Sequence, residues 1–195
     1  MSVTSFDQLN LSKYYTYQDY LAWTFPERVE LFLGKVFRMS PAPSITHQRI
    51  STNLVRNIAN FLDSKPCSVF HAPCDVRLPV SLREGQSDTV LQPDILVVCD
   101  VAKLDEQGCN GAPDMVVEIL STGNSKREMK DKFDLYESSL VPEYWIVDPV
   151  HQDVTLYTLD AENKYIGSRP YLEGDSISSI ILPELRLDVG EIFKK

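Results

Sequence analysis

Two carboxylates sit where strands should be buried. Asp94 opens the run Ile95-Leu96-Val97-Val98, directly after Gln92-Pro93, and Glu118 interrupts Met115-Val116-Val117 and Ile119-Leu120. Both runs are nearly continuous in apolar residues, the pattern of strands covered on both faces. An unpaired charge there is costly, so each acid must be protonated, paired, hydrogen-bonded at a strand end or bound to a cation. Two carboxylates converging at neighbouring strand ends suit Mg²⁺. That ion takes one or two carboxylates, keeps several waters and leaves room for phosphate oxygens. It polarises a phosphorus centre and activates water.

Lys132 is the third signal. In the helix expected from Ser125 to Ser139, Met129, Phe133 and Tyr136 define an apolar face, and Lys132 falls on that same face. A lysine so placed snorkels outward, pairs with Glu128 one turn earlier, or serves a buried acid. Lys126, Arg127 and Lys130 stand nearby, so residues 125–132 hold four cations against two acids. This is the best local candidate for touching phosphates, with a solvated helix face as the alternative. Glu30 lies in the alternating segment Val29-Glu30-Leu31-Phe32-Leu33, and alternation alone turns it to solvent. His47 falls in the first turn of a helix capped by Ser44, where a neutral imidazole either lines a cleft or sits at the surface.

The elements that must position these residues follow from periodicity and turn chemistry. A short helix spans Tyr17 to Trp23, and a hairpin around Gly34 spans Arg28 to Met39. The long helix runs from Ser44 to about Ser64, with Ile50, Leu54, Ile58, Phe61 and Leu62 on one face. Strands are expected at Ser68 to Ala72, Asp75 to Pro79, Val90 to Cys99, Met115 to Leu120 and Tyr144 to Val147. A hairpin-rich tail spans Asp153 to Phe193, with turns at Glu162-Asn163 and Glu173-Gly174-Asp175. The fold class is α/β: a mixed central sheet flanked by helices, with an added N-terminal hairpin and a C-terminal β-rich extension. One domain over residues 1–195 is expected, with 1–15 loosely ordered.

Composition narrows the function classes. The chain has 195 residues, 43% apolar and 24% charged, which is ordinary globular usage. Its 28 acids against 19 lysines and arginines give a net charge of −9. That excludes an all-over cationic nucleic-acid binder and leaves room for a local basic patch. The segment from Glu143 onward alone holds ten acids against five lysines and arginines. No signal peptide and no membrane span are expected from the apolar patterning, which places the protein in the cytoplasm. The four cysteines (67, 74, 99 and 109) form no CxxC pair and are expected as reduced thiols. His71 between Cys67 and Cys74 fits no standard zinc spacing.

The ordered blocks resemble a known family. They are VELFLGKVFRMSPAPS (29–44), HQRI (47–50), QPDILVV (92–98), GAPDMVVEILS (111–121), KFDLY (132–136) and VPEYWIVDP (141–149). Together they are similar to a large bacterial family of restriction-endonuclease-like nucleases, long a domain of unknown function, in the PD-(D/E)XK superfamily. The likeness runs from about Tyr17 to Phe193. Leu120 occupies the position of the superfamily's usual lysine, and Lys132 matches the position to which this family moves it. The resemblance implies that Asp94, Glu118 and the Ile119 carbonyl hold Mg²⁺, with Mn²⁺ as a substitute. It implies that Lys132 positions water or stabilises charge on phosphorus, and that Glu30 binds a second metal or orients a water. It also brings His47 into the site. Glu128 departs from the family, where relatives tend to carry Asp.

The expectation is therefore a metal-dependent endonuclease that hydrolyses phosphodiester bonds of nucleic acid, DNA by preference. The rival is a weakly active or inactive nuclease-fold module for nucleic-acid binding or protein assembly. A two-carboxylate glycosidase leaves Lys132 without a task. Edge strands in the β-rich tail make a homodimer the expected self-association.

Overall fold

The computed structural model describes residues 3–39, 42–81, 87–121 and 126–195, with the side chains of Lys126 and Arg127 outside the description. A short helix, α1 (Tyr17–Leu21), begins with a capping box between Thr16 and Asp19. The hairpin β1 (Val29–Phe32) and β2 (Lys35–Arg38) turns through Leu33 and Gly34, both at positive φ. Such a two-residue turn matches the strand twist, and Gly34 meets it without strain. Ser44 caps the long helix α2 (Ile45–Leu62) by accepting from the His47 amide.

The following strands are β3 (Ser68–His71), β4 (Asp75–Arg77), β5 (Val90–Leu91), β6 (Ile95–Val98), β7 (Leu104–Asp105), β8 (Gly108–Asn110) and β9 (Met115–Ile119). Helix α3 (Lys126–Ser138) crosses from β9 to β10 (Glu143–Asp148), and these two strands pair in parallel. β11 (Asp153–Leu159), β12 (Tyr165–Gly167), β13 (Ser176–Ser178), β14 (Arg186–Asp188) and α4 (Val189–Phe193) complete the chain.

Two six-stranded mixed sheets result, ordered β2-β1-β5-β4-β8-β7 and β12-β11-β10-β9-β6-β3, beside a small β13-β14 ribbon. The second sheet is the centre. Ile95, Val97, Met115, Val117, Trp145 and Val147 project on one face against Ile50, Leu54 and Ile58 of α2 and Ile192 of α4. Leu96, Val98, Val116 and Tyr144 project on the other, against Leu135 and Tyr136 of α3 and Phe32, Val76 and Leu91 of the first sheet. The period-two alternation of β9 thus turns Glu118 toward α3 with Val116.

Four expectations are corrected. The run from Val90 to Cys99 is two strands in different sheets, because Gln92-Pro93 breaks the ladder and Pro93 has no amide to donate. Residues 104–111, where no strand was expected, hold the β7-β8 hairpin. The acidic tail ends in a helix, α4, capped by Asp188. The thiols are not all reduced: Cys67 and Cys99 form a disulfide beside the Ser68–Val98 pair, and Cys74 and Cys109 are free. With Cys67 in the bridge and His71 exposed against its neighbour's carbonyl, the Cys67-His71-Cys74 zinc reading falls away. Ser125, the expected start of α3, lies outside the described residues. No helix among the described residues is long and apolar enough to cross a membrane.

Glu143 ties the tail to the central sheet. It is fully buried, and its carboxylate accepts from the Trp145 indole, the Ser179 hydroxyl and the main-chain amides of Ile180 and Ile181. Glu143→Ala leaves those donors unpaired in the interior, and a loss of roughly 3 kcal/mol in urea unfolding is expected.

Candidate active site

The ends of β1, β6 and β9 and one face of α3 meet at a cluster of charge. Lys132 sits at its centre, with 8% of its side chain exposed. Its Nζ lies 3.0 Å from Oε1 of Glu118 and 3.3 Å from Oε1 of Glu30. Glu118 therefore does not stand alone in its apolar strand, and Lys132 pairs across the fold with two acids that are themselves 12% and 4% exposed. An ammonium in such a place requires close carboxylates, because its own desolvation is expensive.

Each acid is held by one oxygen. Glu118 Oε1 accepts from Lys132 and, at 2.7 Å, from the Tyr136 hydroxyl. Asp94 Oδ2 accepts from the main-chain amide of Ile119 at 2.8 Å and lies 3.2 Å from Nε2 of His47. Glu30 Oε1 accepts from the main-chain amide of Gln92 at 2.8 Å. No described group donates to Oε2 of Glu118 or Oδ1 of Asp94. Glu118, Ile119, Leu120, Glu128, Met129, Lys132 and Tyr144 line a small cleft at this point.

Local sequence explains each placement. His47 extends the Ile50-Leu54-Ile58 stripe of α2 by one turn, so the stripe that packs on the sheet carries the imidazole to the strand ends. Lys132 and Tyr136 are four residues apart on α3 and share one face. Gln92 fixes the crossing between the sheets: its Oε1 accepts from Arg28 Nε at 3.0 Å, and its Nε2 donates to Asp75 at 2.8 Å.

Electrostatics follow from this crowding. Burial pushes the Glu118 carboxyl up to about 7, against the Lys132 ammonium, and the Asp94 and Glu30 charges add to the rise. Burial pulls Lys132 down, but Glu118 and Glu30 outweigh it, and the amine stays charged well above its ordinary range. For His47 burial also lowers the pKa, yet the hydrogen bond and charge of Asp94 leave it raised.

The six residues named from sequence, Asp94, Glu118, Ile119, Lys132, Glu30 and His47, thus come together at one place. Glu30 corrects the alternation reading: both faces of β1 are covered, so its carboxylate points inward rather than to solvent. Of the readings left open for Lys132, the structure shows service to buried acids, Glu118 and Glu30, and not the alternative surface pair with Glu128. Of the basic group, Lys130 is engaged by Asp134, and the side chains of Lys126 and Arg127 lie outside the description. Tyr136 and Gln92 were missed. The signal for Tyr136 was its spacing of four from Lys132; for Gln92 it was adjacency to Pro93-Asp94.

A different group, Asp148, His151 and Asp153, brings three ligand atoms within 4.8 Å of one another, and no other such threesome occurs among the described residues. It lies at the β10-β11 turn with His151 exposed and both aspartates half-buried, and Asp148 already accepts from His151 Nδ1 at 2.7 Å. It carries no buried charge that calls for a cation. Glu30, His47, Asp94 and Glu118 do not meet that spacing.

The chain belongs to the Uma2 family, described as putative restriction endonuclease, whose model matches residues 17–190. Among solved structures it resembles a putative nuclease belonging to DUF820 from Anabaena variabilis ATCC 29413, at 20% identity and a TM-score of 0.69. The likeness covers 91% of this chain and 97% of that one. No curated protein shows significant similarity to the sequence.

Glu118 sets a pH dependence. Its folded pKa, about 7, lies above the ordinary 4.5. The folded state therefore holds the proton more tightly, and the stability this gives is complete below 4.5 and lost as pH rises through about 7. In metal-free buffer, wild type should lose urea stability across that window relative to Glu118→Gln, which cannot titrate there. Parallel profiles would show that the carboxyl is not raised.

Proposed function

We propose that this protein is a divalent-metal-dependent endonuclease that hydrolyses phosphodiester bonds of nucleic acid, DNA by preference. The observation that carries the reading is the excess of acid around one ammonium: Glu30, Asp94 and Glu118 face Lys132, and each of the three acids keeps an oxygen with no described donor. Membership in a family described as restriction endonuclease supports it.

The donor set fits a hard cation. Oxygens of Asp94 and Glu118, with the main-chain carbonyl of Ile119, would hold Mg²⁺ or Mn²⁺, and one or two carboxylates are what such an ion takes from a protein. When bound, the ion supplies Lewis-acid polarisation of the phosphodiester and lowers the pKa of water. The chain's own residues do the rest. Lys132 carries three N–H donors, gives one to Glu118 Oε1 and faces Glu30 Oε1 as an ion pair at 3.3 Å, which leaves donor capacity to orient water or meet charge on a phosphoryl oxygen. Glu30 keeps the ammonium charged and in place, and orients a water through its second oxygen. His47 and the Ile119 amide fix the rotation of Asp94.

The net charge of −9 favours a second reading, a nuclease-fold module without activity in nucleic-acid binding or assembly. The open edge of β12 offers pairing to a second copy, so we expect a homodimer, and a monomeric mass in sedimentation would remove that part. Cleavage of plasmid DNA with Mg²⁺ or Mn²⁺ separates the functions. Wild type should cut, and Asp94→Ala and Lys132→Ala should each lose about 10²- to 10³-fold. Equal cleavage by wild type and Asp94→Ala would assign the activity to a contaminant.

A further inference from the structure

We propose that Tyr136 is a positioning residue that locks the Glu118 carboxylate so that Oε2 alone is offered to a divalent cation. The inference rests on the metal-dependent reading above and deepens it.

Glu118 Oε1 receives two donors, Lys132 Nζ at 3.0 Å and the Tyr136 hydroxyl at 2.7 Å. A carboxylate oxygen has two lone-pair sites, so this pair fills them. Oε1 is then closed to any further ligand, and Oε2 is the oxygen with no described donor. Lys132 alone does not produce this result. Its flexible stem and three equivalent protons serve Glu30 as well as Glu118, and they tolerate rotation of either carboxylate. The phenol is different. Tyr136 is fully buried, its ring packs against Tyr144 at 5.1 Å, and its hydroxyl reaches Glu118 from a rigid ring. Two donors on one oxygen, one of them rigid, fix the carboxylate plane.

The consequence is for affinity. Groups that orient a metal's ligands typically contribute 10- to 100-fold to metal affinity without touching the ion. Removing the hydroxyl frees a lone pair on Oε1 and lets the carboxylate turn away from the site.

The test is calorimetric titration of the full-length chain with MnCl₂ at pH 8, comparing wild type, Tyr136→Phe and Tyr165→Phe. Tyr136→Phe removes one oxygen and keeps the ring. Tyr165→Phe deletes a part-buried tyrosine hydrogen bond, from its hydroxyl to the Val141 carbonyl at 2.8 Å, away from Glu118. Tyr136→Phe should bind Mn²⁺ about 10- to 100-fold more weakly, with Tyr165→Phe unchanged. Equal affinity of wild type and Tyr136→Phe overturns the positioning role while leaving the metal reading intact. Equal weakening in both variants also overturns it, since a general loosening then explains the loss. If wild type binds no Mn²⁺, the metal reading fails and takes the inference with it.

Discussion

A lysine ammonium in the interior is tolerable only with carboxylates at contact distance, and Lys132 has two, at 3.0 and 3.3 Å. Removing water from an ammonium costs several kcal/mol even after relaxation, and the mutual attraction of the ions must repay it. Here the compensation overshoots. Asp94 adds a third negative charge to the group that already raises Glu118, and burial drives that carboxyl up to about 7.

This constraint organises the surrounding structure. Glu118 reaches the ammonium because β9 pairs in parallel with β10 and its alternate residues face α3. Lys132 reaches it because α3 is the crossover that joins those strands, with Leu135 and Tyr136 sealing the same helix face. Glu30 comes from the other sheet, held by the amide of Gln92, and Gln92 sits in the three-residue link where the chain passes from β5 to β6. Asp94 begins the far side of that link and is fixed by His47 from α2 and by the Ile119 amide. Both sheets and two helices therefore contribute to a site whose charged groups are five residues far apart in sequence.

How legible this was depended on whether a residue broke a local pattern. Asp94, Glu118 and Lys132 stand out because each puts a charge on an apolar run or face. Glu30 did not, because alternation implies one wet face, while Leu31 packs in one core and Phe32 in another, so β1 has none. Tyr136 was hidden by looking apolar: a tyrosine on a packed face declares its ring, and its hydroxyl partner depends on the position of β9. The split of the Val90 to Cys99 run turns on Pro93, and no local signal assigns the two halves to different sheets. The Cys67–Cys99 bridge likewise depends on the antiparallel pairing of β3 with β6, a contact 32 residues apart.

The central claim is that the surplus charge around Lys132 holds a divalent cation between Asp94 and Glu118. Anomalous diffraction from a crystal soaked in MnCl₂ tests it most directly. The account predicts a Mn²⁺ peak within coordination distance of Oε2 of Glu118 and Oδ1 of Asp94. No peak there, or a peak confined to Asp148, His151 and Asp153, would contradict it.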